Sequence, residues 1–138
     1  MGRRLFKELE RSYGFDEVAI VPGQVTINPE LTSTKMTIRD LEFEIPIMAS
    51  AMDGAVSPRF ATQMHEMGGL GVMNAEGLYS RYEDPYSVLE SIISTPQSEV
   101  TEFLQRVYSE PIKEDLLGAR VREIKKSGSI CAVSFTPQ

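Results

Sequence analysis

Short, continuously apolar segments alternate along the chain with segments of helical periodicity. Ile45 to Met52 is apolar apart from Ser50, and Pro46 stands only near its start, so it predicts a strand buried on both faces. Leu70 to Met73 and Ser129 to Phe135 predict two further buried strands. Buried strands separated by helical segments predict an α/β fold with a parallel sheet.

Helical segments fill the intervals between these strands. Ser57 and Pro58 form a helix start, with serine as N-cap and proline at the first helical position, and Gly68-Gly69 ends that helix. The second interval predicts further helices, which begin near Asp84, Ser98 and Lys113 and end at or before Pro96, Pro111 and Gly128. Both connections are long enough to join parallel strands.

The first 44 residues have a different pattern, which predicts an N-terminal extension. Leu5 to Ser12 predicts a short amphipathic helix. Phe15 to Val21 predicts an extended run that ends at the turn signal Pro22-Gly23. Thr32 to Met36 and Phe43 to Ile45 predict two short strands, which need not belong to the main sheet.

The composition is that of a soluble globular protein, with 41% hydrophobic and 25% charged residues. A formal net charge of −6 disfavours nucleic acid and anionic membranes as partners. No segment approaches the roughly 20 apolar residues of a membrane span, and the charged N-terminus lacks the apolar core of a signal peptide. Cys131 is the single cysteine, which excludes an internal disulfide and fits a reducing compartment. We therefore expect a cytoplasmic protein that binds neither nucleic acid nor a membrane.

Polar residues stand where two of the predicted strands end, which is where α/β folds bind ligands. Ser50 offers a hydroxyl and Met52 an adaptable apolar surface. Asp53-Gly54 is also typical of a plain turn, and on periodicity alone a strand ending in a turn is the favoured interpretation. After the second strand, Asn74 is the better ligand candidate.

Other conspicuous residues favour structural roles. The glycines from Gly68 to Gly77 precede and interrupt a strand, so they indicate close packing rather than a dinucleotide fingerprint. His65 lies on the helix between the strands and predicts a surface or boundary position. Cys131 lies in mid-strand, where a free cysteine is usually inert. One histidine and one cysteine far apart do not form a metal site by themselves.

Three segments together resemble the opening of the IMP dehydrogenase/GMP reductase family. They are 15–23 (FDEVAIVPG), 45–53 (IPIMASAMD) and 68–74 (GGLGVMN), in the family's order and spacing. The resemblance is strong from Tyr13 to about Tyr79 and weak at the third strand. It implies the N-terminal part of a (β/α)8 TIM barrel, with 1–44 as extension and 45–138 as the first barrel units.

The resemblance also implies a chemistry. In the family a cysteine thiolate attacks purine C2, and a hydride passes to or from a nicotinamide, NAD or NADP. That cysteine belongs to a later loop, and Cys131 does not match its position. We therefore expect no catalytic residue in this chain, which would be an inactive piece of an enzyme. The resemblance implies a purine nucleotide partner (IMP, XMP or GMP) and a homotetramer for the complete protein.

Site residues carry over from the family one by one. Ser50 and Met52 match positions that contact the bound purine nucleotide. Asn74 and Ala75 fall where relatives have basic or histidine side chains near the cofactor, a departure that leaves the cofactor contact and the nicotinamide type open. Residues 28–30 correspond to a family segment that approaches the cofactor of a neighbouring subunit, but their match to its motif is poor.

The interval between the second and third strands, Glu76 to Ser129, is too short for the regulatory CBS modules of many IMP dehydrogenases. This is similar to the related subgroup without CBS modules, in which either IMP dehydrogenase or GMP reductase activity is expected. A non-catalytic nucleotide-binding paralogue and a stand-alone small α/β domain with an association role remain alternatives. If the barrel is incomplete, its inner sheet face, where Ile47, Met73 or Val133 could lie, would lose the opposite wall.

Overall fold

The structure, a computed structural model, describes residues 10–136, and the chain divides after Ser33 into two compact units. The first unit contains a turn in which the Glu17 amide donates a hydrogen bond to the Gly14 carbonyl at 3.0 Å. A 3-10 helix at Pro29–Leu31 is capped by the Asn28 side chain. Of the predicted helix from Leu5 to Ser12, residues 5–9 lie outside the described residues, and residues 10–12 are not helical.

The extended run predicted over 15–21 is wrong at its start. Residues 15–17 form the turn just described, and 18–21 have no β-partner within residues 10–136. The reason is local: Glu17 also accepts the Gly14 amide through its side chain, so both ends of this turn are hydrogen-bonded.

The second unit begins with a small hairpin. Strands β1 (Met36–Ile38) and β2 (Leu41–Phe43) pair antiparallel, with Met36 opposite Phe43. Arg39 in the two-residue turn has a φ of 56°, the left-handed conformation that tight hairpins require. Two short strands outside the main sheet are confirmed, although both lie a few residues from the predicted bounds because the turn sets the pairing.

Within residues 10–136 the main sheet contains β3 (Met48–Ala49), β4 (Leu70–Asn74) and β5 (Ala132–Ser134), side by side in that order and all parallel. Met48 lies opposite Leu70, and Met73 lies opposite Val133. The predicted parallel α/β sheet is therefore confirmed.

The helices follow their predicted signals. They are α1 (Pro58–Glu66), α2 (Pro85–Ser94), α3 (Val100–Ser109) and α4 (Glu114–Lys126), with a 3-10 helix at Leu78–Ser80. The Ser57 side chain accepts the Phe60 amide at 3.0 Å, so the predicted N-cap of α1 is confirmed. Gly68 follows α1 with a φ of +85°, and Gly128 follows α4 with a φ of +80°, the left-handed conformation that terminates helices.

The core lies on the helix side of the sheet. Its buried cluster combines residues of β4, of α1 and α4, of the 3-10 helix after β4 and of the loop before α1. These residues are Val56, Ala61, Met73, Tyr79 and Ile124. A Cβ atom on Gly71 would stand 2.7 Å from the Ala61 Cα, so α1 packs directly on the β4 backbone. The packing role predicted for the glycines is confirmed at this position.

The prediction that the strands are buried on both faces is wrong. Ile47 is 57% and Met48 52% exposed, while Met73, predicted as a possible exposed residue, is 0% exposed under the helices. Strand register puts Met48 on the opposite face of the sheet from Met73. The helices cover one face. The other face, which we call the open face, carries half-exposed Met48, although Leu70 opposite it is buried.

The strand predicted over 129–135 is shorter and less buried than expected. Register places Val133 on the helix side with Met73, yet it is 37% exposed because no helix follows β5 within residues 10–136. In that part of the chain, no helix combines the length and apolar character needed to cross a membrane.

Candidate functional site

The carboxyl ends of β3, β4 and β5 lie along one edge of the sheet and carry the predicted site residues. Two contacts join the ends of β4 and β5. The Ala75 amide donates to the Ser134 carbonyl at 3.1 Å, and the Thr136 hydroxyl donates to the Glu76 carboxylate at 2.7 Å. The loops that follow neighbouring strands are thereby held side by side, as ligand sites of parallel sheets require.

The loop after β3 presents Ser50 and Met52 to the surface. The Ser50 carbonyl accepts the Met52 amide at 2.8 Å, and the Met52 carbonyl accepts the Ala55 and Val56 amides, both at 2.9 Å. Both side chains are exposed, and the Ser50 hydroxyl makes no hydrogen bond within residues 10–136. A hydroxyl and a thioether are therefore available to a ligand on this edge.

The two predicted site residues at the end of β4, Asn74 and Ala75, differ in their exposure. Asn74 is half-buried, and its side-chain oxygen accepts the Glu76 amide at 3.1 Å, which leaves the amide nitrogen as a donor. Ala75 is completely buried, so its methyl group has no surface to offer. A cofactor contact at these two positions stays a prediction, and only Asn74 has a side chain that could make it.

A buried carboxylate lies behind this edge, and the sequence did not reveal it. Asp53 is 7% exposed, and its Oδ2 accepts a hydrogen bond from the Tyr108 hydroxyl at 2.7 Å. Burial, followed by this hydrogen bond and the charge of Asp53, raises the pKa of Tyr108. Tyr108 is therefore a stable hydrogen-bond donor to Asp53 at ordinary pH.

Arg81 connects the same region to the end of α3. Its guanidinium carbon lies 5.9 Å from the centre of the Tyr108 ring, in the range of a cation–π contact. It donates to the Glu76 carbonyl at 3.0 Å and also to the Glu110 carbonyl. The loops after β3 and β4 are thus joined to the helical segment between β4 and β5.

The residues assigned structural roles lie away from this edge. Cys131 is half-buried immediately before β5 and packs against the core, and burial raises the pKa of its thiol although Lys125 lowers it. A raised pKa reduces the thiolate fraction, which supports an inert cysteine. His65 is half-buried on α1, at the boundary position predicted for it.

Two further features of residues 10–136 bear on the choice of site. No group of histidine, cysteine, aspartate and glutamate side chains there could hold a metal ion. A mainly apolar cavity of about 340 Å³ lies between α2 and α3, lined by Tyr82, Val88, Phe103 and Val107 among others, and none of the predicted site residues lines it. The edge formed by the strands' carboxyl ends therefore remains the best candidate.

The chain belongs to the IMP dehydrogenase/GMP reductase domain family, whose model matches residues 12–84, more than half of its length. The matched range contains β3, α1, β4 and all four predicted site residues. The family assigned from sequence is thereby confirmed.

The solved structures agree with this assignment. The crystal structure of an IMP dehydrogenase/GMP reductase-like protein from Corynebacterium glutamicum superposes with a TM-score of 0.83 and 32% sequence identity. The match covers 95% of this chain and 36% of that one. Together with the parallel order of β3, β4 and β5, it confirms the predicted fold, the early β/α units of a (β/α)8 barrel.

Among curated relatives, an uncharacterized oxidoreductase of Mycolicibacterium smegmatis is 36% identical over 133 residues, and one of Mycobacterium tuberculosis is 38% identical over 133 residues. Inosine-5'-monophosphate dehydrogenase of Methanocaldococcus jannaschii is 33% identical over 67 residues. The chain spans just over a third of the length of the two oxidoreductases, 36% of each.

Proposed function

We propose that the complete protein is a nicotinamide-dependent oxidoreductase of purine nucleotides, and that Ser50 and Met52 form part of its nucleotide site. One observation carries the proposal: the family motif containing Ser50 and Met52 leaves both side chains exposed at the carboxyl end of β3. The oxidation of IMP to XMP is the first candidate reaction. The reduction of GMP to IMP is the second, because the segment between β4 and β5 is helical and has no room for CBS modules.

The chain's own residues would bind and orient the substrate. The Ser50 hydroxyl would hydrogen-bond a polar edge of the purine, and Met52 would pack against the apolar face of the ring. This holds the base in a fixed position for the reacting groups, which lowers the entropic cost of reaching the transition state. NAD or NADP would supply hydride transfer, and the Asn74 side chain fits an amide contact with it better than buried Ala75 does.

The rest of the organisation follows from the family. Residues 1–44 would be an extension and 45–138 the first barrel units, without CBS modules, in a homotetramer. The nucleophile would lie outside this chain, so the 138-residue chain alone should turn over neither IMP with NAD nor GMP with NADPH.

The test is Ser50→Ala in the complete protein, with nucleotide affinity measured by calorimetry. Loss of one hydrogen bond should cost about 1 kcal/mol, which weakens binding several-fold. Ser98→Ala, in the exposed connection between α2 and α3, is the matched control and should bind as wild type. Equal affinities of wild type and Ser50→Ala would contradict the assignment of Ser50.

Two assays separate the candidate reactions. The complete protein is incubated with IMP and NAD in one and with GMP and NADPH in the other. Turnover in the first supports the dehydrogenase, and turnover in the second supports the reductase. Nucleotide binding without turnover in either would favour the non-catalytic paralogue.

A further inference from the structure

The Asp53 carboxylate joins three segments that are distant in the sequence. Its Oδ2 accepts from Tyr108 at the end of α3, across 55 positions of the chain. Its Oδ1 is buried and receives no hydrogen bond from residues 10–136. A Cβ atom on Gly77 would stand 1.8 Å from Oδ1, so this oxygen occupies the space that a side chain in the β4 loop would need.

This arrangement is costly, which indicates a role beyond stability. A buried carboxylate oxygen without a donor loses its hydration and gains no hydrogen bond in return. An apolar residue of similar size would avoid that loss. The carboxylate is therefore better explained by the geometry that it imposes on its neighbours.

The turn that Asp53 anchors is the one that carries the proposed nucleotide contacts. Asp53 directly follows Met52, whose carbonyl accepts the Ala55 and Val56 amides at 2.9 Å. Fixing the Asp53 side chain therefore fixes the turn from Ser50 to Val56 on its inner side. The Tyr108 ring contacts the Arg81 guanidinium, which donates to the backbone carbonyls of Glu76, after β4, and of Glu110, at the end of α3.

We propose that Asp53 is a positioning residue for the nucleotide site: held between Gly77 and Tyr108, it sets the placement of Ser50 and Met52 and couples that placement to α3. The inference rests on the proposed function, because it concerns the residues that hold Ser50 and Met52 in place in the same site. Asp53 acts through the turn, and its buried oxygens do not contact the nucleotide.

Gly77→Ala in the complete protein is the sharpest variant. Gly77 has a φ of −90° and a ψ of −161°, which alanine adopts freely, so the substitution acts through the contact with Asp53. We expect the KM for the purine nucleotide to rise about 5- to 10-fold, the effect of about one lost hydrogen bond, while the KM for the nicotinamide stays unchanged. Gly118→Ala on α4 is the control, since it lies outside this turn and the three nearest atoms to its new Cβ belong to the far end of the flexible Arg122 side chain.

Tyr108→Phe keeps the ring and removes the hydroxyl, so it provides a second variant if Gly77→Ala fails to fold. It should raise the same KM in the same direction. Asp53→Asn keeps the shape and an acceptor for Tyr108 and should stay near wild type, whereas Asp53→Ala should not. A role in stability alone would lower the melting temperature without this selective change in KM.

Hydrogen exchange separates failure of this inference from failure of the proposed function, because it needs no substrate. Exchange at the Met52, Ala55 and Val56 amides should accelerate in Gly77→Ala and Tyr108→Phe, and not in Gly118→Ala. Unchanged exchange, or faster exchange with an unchanged nucleotide KM, would overturn the positioning role. A wild-type protein that binds no purine nucleotide would overturn the proposed function and with it the role of Asp53, whatever the exchange shows.

Discussion

The two faces of the parallel sheet differ although the same kinds of residue build them. Met73 on the helix face is 0% exposed beneath α1 and α4, whereas Met48 on the open face is 52% exposed. Both lie in strands with nearly continuous apolar sequence, the pattern of strands covered on both sides. The apolar sequence therefore anticipates a cover on the open face that residues 10–136 provide only in part, at Leu70 but not at Met48.

The faces also differ in their polar content. The helix face is built from glycine and apolar side chains, including Ala49, Gly71 and Met73. On the open face, alternation places Asn74 and Ser134 at the carboxyl ends of β4 and β5. One face thus stabilises the fold, and the proposed ligand contacts lie along the edge of the other.

The largest expected effect compares one methionine from each face. In the 138-residue chain, Met73→Ala should lower the free energy of unfolding by about 2–5 kcal/mol, because it removes a fully buried side chain. Met48→Ala should cost less than about 1 kcal/mol, because half of that side chain is already exposed. Urea unfolding of both variants at one protein concentration measures the difference, and equal losses would contradict the distinction between the faces.

The same two substitutions, made in the complete protein, test whether the open face is covered there. If further chain covers the open face there, Met48 becomes a buried residue and its substitution should cost about as much as that of Met73. A Met48→Ala cost that stays small in the complete protein would argue against a closed barrel.

A smaller effect is expected from crowding the covered face. Gly71→Ala would place a Cβ atom 2.7 Å from the Ala61 Cα, so α1 must move away from β4. We expect a loss of about 1–3 kcal/mol in unfolding free energy, as for overpacked cores. Gly54→Ala, which meets nothing within 4 Å, should stay within about 0.5 kcal/mol of wild type. Gly71→Ala with wild-type stability would show that the packing of α1 on β4 is loose.

The smallest effect concerns Cys131, which packs against the core on the helix face. Burial raises the pKa of its thiol, so at a given pH the folded protein has less reactive thiolate than the unfolded chain. Because both states hold a neutral thiol below the unfolded pKa, the shift does not affect stability there, and stability falls as pH rises from the unfolded to the folded pKa. Alkylation by iodoacetamide, followed by mass spectrometry on both sides of pH 9.0, should be slower in the folded chain. Equal rates would show that the thiol is not shielded.

Local signals predicted the elements of this fold, and interactions between distant residues escaped prediction. Periodicity and the cap at Ser57 located α1, and the apolar run located β4, because both depend on neighbouring residues. The burial of Asp53 depends on Tyr108, 55 positions away, and no pattern near Asp53 indicates that partner. The exposure of Met48 also escaped prediction, since its apolar segment describes a covered strand.

Ser50 and Met52 could be proposed from sequence because a polar residue interrupts an apolar strand near its end and the family motif includes both residues. Gly77 was assigned to packing in a general way, but the sequence could not show that the atom it makes room for belongs to Asp53. The geometry of the candidate site therefore needed coordinates, whereas its position at the end of a strand did not.

The most direct test of the account is the oligomeric state of the 138-residue chain alone. Met48 is exposed on the open face, Ile47 is exposed just before β3, and the outer strands β3 and β5 carry no charged residue to discourage pairing. Size-exclusion chromatography with light scattering should therefore find a self-associated species. A monodisperse monomer with a cooperative thermal transition would contradict the account and would favour a stand-alone α/β domain.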